Sequence, residues 1–193
     1  MKIQDKIIES VAMREEREKR IREMTELRRT LQQPILRELE SVGVSAKSLW
    51  HLGSKEDPHK RSVPVLVKHI QIFYHDQINE TLARALGRLK AVECWNMLVE
   101  LFCKTDRLVH PNFKDGLACA LFDLVSKKTM DEYISLLKDK QHRESRVLMV
   151  GKLRRSRQPE IIALIDELAE DEDLKIEIGS WKRFKGKSRQ KQL

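Results

Sequence analysis

Glycine, cysteine and aromatic residues are all scarce in this 193-residue chain. It holds 7 glycines and 3 cysteines, and 5 per cent of its residues are aromatic. Because no alternating apolar runs accompany this composition, a β-sheet architecture is not predicted. The cysteines, Cys94, Cys103 and Cys119, form no Cys-x-x-Cys pair and lie in apolar helical stretches. We therefore expect buried thiols in a reducing compartment, with neither disulfides nor a metal site.

Long apolar segments and targeting signals are also absent. No window approaches the ~18 consecutive apolar residues of a membrane span. The N-terminal MKIQDKIIESV lacks the apolar stretch and cleavage site of a secretion signal, so a cytoplasmic location is expected. The motifs GxxxxGK[ST], HExxH and GxSxG do not occur, and the six histidines are scattered. The sequence accordingly predicts no cofactor and no enzyme activity.

What the chain does contain is a short signature that recurs five times. The segments are LWHLGS, ALGRLK, ALFDLV, VGKLRR and IGSWKR, and their anchoring residues are Leu52, Leu89, Leu124, Leu153 and Trp181. Successive anchors are 37, 35, 29 and 28 residues apart, which is the range of stacked structural repeats. We expect all five anchors to be buried, in equivalent positions on the first helix of each unit.

Each unit is predicted to hold two helices, because apolar residues recur at three- and four-residue steps. In the second unit LARALGRL precedes CWNMLVELF, and in the fourth SRVLMVGKL precedes PEIIALIDEL. Small residues inside the first helices, Ala85, Gly116, Ala120 and Gly151, would permit close approach between helices. About five such units, the last one partial, would form a repeat domain spanning residues 33–184.

Residues 1–32 differ in composition and predict one charged helix, ended by Gln32, Gln33 and Pro34. Two apolar stripes lie on it: Ile3, Ile7 and Val11, then Ile21, Met24, Leu27 (or Arg28) and Leu31. Between the stripes, the pairs Glu15–Lys19, Glu16–Arg20 and Glu18–Arg22 have the spacing that stabilises a solvated helix. Two roles stay open for this helix. It would either cap the first repeat or pair with another chain, for example as a homodimer.

The net charge of +8 is mostly a property of the C-terminal end. Six basic residues and no acidic residue lie between 182 and 193: Lys182, Arg183, Lys185, Lys187, Arg189 and Lys191. Without them the chain has 32 basic and 30 acidic residues, a net charge of +2. The tail, residues 185–193, is either a solvated chain end or a source of weak, salt-sensitive, nonspecific attraction to nucleic acid.

The repeated segments resemble HEAT repeats, particularly the short repeats grouped with those of phycobilin lyases. The stretch from about Ile35 to Lys175 resembles a bacterial group of HEAT-repeat proteins without an assigned function. The pieces that carry this likeness are LESVGVSAKSLWHL, VPVLVKHI, ETLARAL, FKDGLACAL and HRESRVLMVGKLRRSR. The resemblance implies an all-α fold, a short right-handed α-solenoid of HEAT-like helix pairs behind a long N-terminal helix. It implies no lyase chemistry, because no matching site residues are present.

The most unusual polar cluster combines FKDG (113–116) with HRESR (142–146), each at the start of a first helix. Stacking would bring Asp115 close to Arg143 or Arg146 of the next unit. An inter-repeat salt bridge is the structural interpretation, and an anion site formed by the two arginines is the functional one. Further candidate binding residues are basic: Lys68, Arg154 and Arg155.

The sequence favours a protein-interaction scaffold or adaptor with an unidentified protein partner. Two alternatives stay open. One is a nucleic-acid-binding protein that uses the tail and the arginine-rich side of the first helices. The other is an enzyme resembling the HEAT-repeat DNA glycosylases, in which Trp50, Trp95 and Trp181 with Asp115 would hold damaged DNA. Trp50 and Trp181 belong to the repeated signature, so we expect them to pack in the core. The acidic residues of the second helices also disfavour duplex binding.

Overall fold

The computed structural model describes residues 2–53, 55, 57 and 60–181, with side chains from residue 13 onward. Within these ranges every regular element is helical, which confirms the all-α prediction. The helices are α1 (Lys2–Ser41), α2 (Val63–Ile70), α3 (Asp76–Arg88), α4 (Trp95–Lys104), α5 (Pro111–Leu124), α6 (Met130–Lys138), α7 (Val147–Val150) and α8 (Pro159–Leu168). Residues 175–181 are helical as well. None of the described helices is both long enough and apolar enough to span a bilayer.

Helix α1 is longer than predicted, because it does not stop at Gln33. It runs for 40 residues, about 60 Å, with Pro34 inside it. Proline usually breaks a helix by removing an N–H and crowding the preceding turn. Here Ile35 and Leu39, just after it, are fully buried against the rest of the chain, and this packing offsets the cost. The helix ends at Ser41, and Gly43 just beyond it has a φ of 77°, the left-handed conformation that glycine adopts readily.

The described N-terminal half of α1 is largely solvent-exposed. Ile21 is 53% exposed and Leu27 43%. The predicted pairs Glu16–Arg20 and Glu18–Arg22 are present at 3.5 and 3.9 Å, whereas Lys19 lies near Glu23 in place of Glu15. Contact with the rest of the chain begins at Leu31 and Gln32, the end of the predicted segment, and continues through the fully buried Ile35 and Leu39. The stripe Ile3, Ile7 and Val11 lies outside the described side chains, and homodimer formation through α1 stays a prediction.

Glu38 fixes α1 to the first helix pair. Its carboxylate is 2.8 Å from Lys68 Nζ and 2.9 Å from His69 Nε2. His69 is buried, and its Nδ1 lies 2.6 Å from the hydroxyl of Tyr74. The hydrogen bonds from Lys68 and then from His69 lower the pKa of Glu38 below its usual range. Glu38 is therefore ionised at neutral pH, and this contact contributes to stability until the pH falls through its lowered pKa.

The five anchors of the repeated signature are all buried, as predicted, with at most 6% of each residue exposed. Their local structures differ. Leu124 ends α5 and Leu89 follows α3 directly, but Leu52 follows a 3₁₀ turn, Leu49–His51, at the place where the first helix of the first unit was predicted. In the fourth unit a 3₁₀ segment, Lys140–Arg146, precedes the four-residue α7, so the predicted helix over 145–153 is mostly not α-helical.

Helices α3 and α5 pack against each other at the centre of the molecule with little space between their backbones. A Cβ atom at Gly116 would lie 2.7 Å from the Cα and carbonyl oxygen of Glu80. A Cβ atom at Gly87 would lie 3.0 Å from the Cα of Ala120. The predicted use of Gly116 and Ala120 for close helix approach is therefore confirmed. Glycine at 116 is a steric requirement, because the obstructing atoms include backbone, which moves less readily than a side chain.

Gly116→Ala is expected to lower the free energy of unfolding by about 1–3 kcal/mol, the cost of overpacking a dense core. Gly179→Ala is the matched control, since nothing lies within 4 Å of its Cβ position in the helical residues 175–181. The control should stabilise by up to about 1 kcal/mol through helix propensity. Urea unfolding of both variants measures the difference. Equal behaviour of the two would show that α3 and α5 separate easily.

Hydrogen bonds between neighbouring helix pairs join residues at similar sequence separations. Lys60 and Lys90 share a φ of 54°, and each lies shortly before a second helix of a pair. Lys60 Nζ donates to the carbonyl of Lys90 at 2.6 Å, and Lys90 Nζ donates to the carbonyl of Asp123 at 3.1 Å. Consecutive second helices are also joined, by Trp95 to Glu132 and by Lys138 to Glu167. Two of the acidic residues in the second helices, Glu132 and Glu167, thus pair with a neighbouring second helix.

Candidate functional site

Three loops form the surface that we call the loop edge: residues 71–75, 105–110 and 139–146. Two contacts hold the first loop against the second. Asp76, at the start of α3, accepts hydrogen bonds from the backbone N–H groups of Asn112 and Phe113, at 3.0 and 2.8 Å. The rings of Phe73 and His110 lie 4.3 Å apart. Asp76 thereby supplies the acceptor that the start of α5 lacks, and this fixes the spacing of the two loops.

The third loop is joined to the second by polar side chains. Arg107 donates to Glu144 at 3.0 Å and also contacts Asp115. Ser145 donates to the same oxygen of Asp115 at 2.7 Å. Because Arg107 and Asp115 are both partly buried, the loops are connected by a network and not by a single exposed ion pair. The loop edge is consequently a continuous surface.

Exposed apolar side chains are concentrated on the first two loops. Ile72 and Phe73 are 46% and 53% exposed, and Leu108 and Val109 are 71% and 63% exposed. We call these four residues the apolar patch. Single exposed apolar residues are common on protein surfaces, but a group of them on two neighbouring loops is characteristic of an interaction site. This patch is not predicted by the sequence, because its residues lie in loops and fit no helical period.

The predicted salt bridge between Asp115 and Arg143 or Arg146 is wrong. Asp115 does join two consecutive units, but its partners are Arg107 of its own unit and Ser145 of the next. Arg107 lies eight residues before Asp115 in the preceding loop, a position that helix periodicity does not connect to it. The structural role that we predicted for Asp115 is retained with different partners.

Arg146 and Arg143 do not form an anion site together. Arg146 is fully buried, and its guanidinium binds both carboxylate oxygens of Asp171 at 2.9 Å and Asp173 at 2.6 Å. Two carboxylates thus already neutralise its charge. Arg143 is exposed, with a φ of 49° that divides the 3₁₀ segment. The backbone reversal at Arg143 separates the two arginines, which a regular helix would have placed one turn apart.

The remaining predicted residues lie elsewhere. Lys68 is paired with Glu38, and Arg154 lies 5.8 Å from the centroid of the Trp181 ring. Arg155 is exposed. None of these contacts involves the loop edge. The basic residues of the C-terminal end lie outside the described residues: Lys182, Arg183, Lys185, Lys187, Arg189 and Lys191.

A buried lysine beneath the loop edge was also missed. Lys114 contacts the carbonyl of Phe102, lies 4.0 Å over its ring, and is 3.1 Å from His142 Nδ1. Burial lowers the pKa of Lys114 to about 8 and, together with the charge of Lys114, that of His142 to about 4. His142 is therefore neutral at pH 7 and can accept a hydrogen bond from the ammonium group. Lys114 and His142 belong to the strings FKDG and HRESR, but the sequence pattern suggested roles only for Asp115 and the arginines there.

The thiols show no activation for nucleophilic chemistry. Cys94 is buried and Cys119 half-buried, but Cys103 is exposed, so the expectation of three buried thiols is wrong for Cys103. Desolvation raises the pKa of all three thiols, that of Cys94 to about 11. Raised values disfavour the reactive thiolate. Among the described residues, no group of three or more His, Cys, Asp and Glu side chains could hold a metal ion.

The three tryptophans do not share one cleft. Trp95 is buried beside Tyr133 and Glu132, and Trp181 is buried with its indole N–H 2.8 Å from Glu177. Trp50 is 61% exposed, so the prediction that it packs in the core is wrong. The arrangement of three tryptophans and Asp115 expected for a glycosylase-like site is therefore not formed.

Comparisons with protein-family models, with curated proteins and with solved structures find no match for this chain.

Proposed function

We propose that this chain is a non-catalytic protein-interaction scaffold or adaptor, built as a HEAT-like α-solenoid, which binds its partner through the loop edge. The apolar patch is the observation that carries the proposal. Its four residues occupy two loops whose separation is fixed by Asp76 and by the contact between Phe73 and His110. A preorganised apolar surface loses little conformational entropy on binding, which favours affinity.

The regular contacts between units support the repeat architecture. Hydrogen bonds join Lys60 to Lys90, Lys90 to Asp123, Asp76 to Asn112 and Arg107 to Glu144, across 30, 33, 36 and 37 residues. These separations are close to the spacing of the anchors. In a stack of repeats each unit contacts its neighbours through equivalent positions, so contacts recur at the repeat length.

The polar surroundings of the apolar patch favour a protein partner. Arg107 and His110 flank Leu108 and Val109 in the second loop, and Arg107 donates to Glu144 of the third loop. An apolar centre with a polar rim is the usual composition of a protein–protein interface, and aromatic residues such as Phe73 contribute much of the binding energy there. A helix or loop of the partner that presents apolar side chains is the ligand that this surface fits.

The test compares two double variants by affinity purification of tagged full-length protein from its native host. Phe73→Ser/Leu108→Ser removes half of the apolar patch. Val92→Ser/Ile162→Ser is the matched control, since both residues are exposed apolar side chains outside the loop edge. A partner recovered with the unmodified chain and the control should fall at least about tenfold with the patch variant, which corresponds to ~1.4 kcal/mol.

Melting temperatures of the two variants should be close to that of the unmodified chain, because all four substituted positions are exposed. The proposal is wrong if the patch variant recovers the same partners in the same amounts. It is also wrong if the control variant alone loses them, since another surface would then be responsible.

A further inference from the structure

A second feature, independent of the loop edge, is a cleft between α1, the 3₁₀ turn Leu49–His51 and α3. Its volume is about 450 Å³, within the range of small-ligand sites. The walls are tied together where Gln32 of α1 accepts a hydrogen bond from the backbone N–H of Leu49, at 3.2 Å. We call this the Trp50 cleft, because the exposed ring of Trp50 forms part of its lining.

Trp50 is exposed although its neighbours Leu49 and Leu52 are buried. Arg88 lies over the indole with its guanidinium carbon 5.7 Å from the ring centroid. The arginine is held there, because its Nε donates to the carbonyl of Leu52 at 3.0 Å. The ring is thus supported by a fixed cation while 61% of the residue remains accessible. A supported, accessible aromatic ring is a platform on which a planar group can stack.

The charges that line the cleft are mainly positive. Arg28 and Arg29 belong to the α1 wall. Arg28 is oriented by bonds to the carbonyl of Met24 and the hydroxyl of Thr25, at 3.1 and 3.4 Å, and Arg29 lies 3.8 Å from the exposed Glu26. The carboxylate in the lining is Glu80, which is paired with Arg84 at 2.9 Å. Guanidinium groups beside an aromatic platform suit an anion attached to a planar ring.

We propose that the Trp50 cleft binds a nucleotide unit, with the base stacked on Trp50 and the phosphate bound by Arg28 and Arg29. A duplex presents its bases edge-on and stacked, so only a free nucleotide or a single strand offers a base face to the ring. Both sources share this chemistry, and the volume of the cleft is suited to one unit. The C-terminal basic residues would add attraction to a strand by charge alone, without dependence on Trp50.

The test measures binding to the full-length chain in about 0.15 M salt, with AMP, a labelled ten-residue oligothymidylate and the corresponding duplex as probes. Trp50→Ala should weaken binding about fivefold or more, and Trp50→Phe should restore most of it, because phenylalanine keeps a stacking surface. Arg28→Ala/Arg29→Ala should weaken binding and reduce its salt dependence. Arg20→Ala/Arg22→Ala removes the same charge from an exposed part of α1 outside the cleft and should have little effect.

Indole emission provides a second readout in the unmodified chain. Trp95 and Trp181 are buried, so a saturable emission change that is absent from Trp50→Phe reports on the cleft itself. Competition by AMP would identify a free nucleotide as the ligand, and binding of the oligothymidylate alone would identify a single strand. Binding that is unchanged in Trp50→Ala overturns the proposal. The proposal is also overturned if an acidic, aromatic peptide binds in a Trp50-dependent way and neither nucleotide probe binds.

Discussion

Arg146→Ala is expected to lower the free energy of unfolding by about 3–5 kcal/mol, the usual cost of removing one partner of a buried ion pair. The guanidinium group is fully buried and bonds to Asp171, to Asp173 and to the carbonyl of Leu137. Its removal would leave Asp171, itself nearly buried, without the cation that lowers its pKa. Urea unfolding followed by circular dichroism measures the loss.

The control for this variant is Arg143→Ala, three residues away. Arg143 is exposed, so its substitution should change stability by no more than about 0.5 kcal/mol. Arg146→Lys should fall between the two, because lysine keeps the charge but cannot bind both oxygens of Asp171 at once. Equal midpoints for Arg146→Ala and Arg143→Ala would show that the buried arginine contributes nothing to stability.

Asp171 should also make stability depend on pH in the unmodified chain. Bonds from Arg146 and from the backbone of Asp173 lower its folded pKa below the usual value of 3.8. A carboxylate of this kind stabilises the fold above its unfolded pKa and loses that contribution as the pH falls through the folded pKa. The decrease in the free energy of unfolding below about pH 4 should be smaller in Arg146→Ala, because this variant lacks the ion pair with Asp171.

The features that the sequence predicted correctly depend on local patterns. Apolar spacing identified most of the helices, and the recurrence of one signature identified Leu52, Leu89, Leu124, Leu153 and Trp181 as buried. Both depend on the 3.6-residue period of the α-helix and on the burial of large apolar side chains. Gly116 was also recognised, since a glycine inside a helix usually marks a close approach.

The partners of charged residues could not be predicted in the same way, because they depend on loop conformation. The prediction for Asp115 assumed that HRESR forms a regular helix start. The positive φ of Arg143 and the 3₁₀ geometry around it turn Arg146 inward, toward Asp171 in the following loop. No periodic rule connects residues 25 positions apart across two loops, and Arg107 was missed for the same reason.

Trp50 shows how a repeated signature can mislead. Trp50 belongs to the signature LWHLGS, and for that reason we predicted it in the core. The anchor of that signature, Leu52, is buried like its counterparts. The unit has a three-residue 3₁₀ turn where the others have longer helical segments. A turn this short buries Leu49 and Leu52 but leaves the intervening Trp50 on the surface. The same substitution of a turn for a helix opens the cleft beside α1.

Leu124→Ala is expected to destabilise the chain by about 2–5 kcal/mol. The substitution removes buried apolar atoms and leaves a cavity whose lining loses packing contacts. Leu124 is the last residue of α5, whose N-terminal half carries Gly116 and contacts both Asp76 of α3 and Ser145 of the third loop. Its side chain is almost completely buried. A cavity here should weaken the centre of the fold, so the unfolding transition should move as a whole and stay cooperative.

Leu148→Ala is the control, since Leu148 lies on α7 and is exposed, and it should cost under about 0.5 kcal/mol. Urea titrations of both variants give the comparison. An unchanged midpoint for Leu124→Ala would mean that the recurring signature of the five anchors does not mark the core of the molecule.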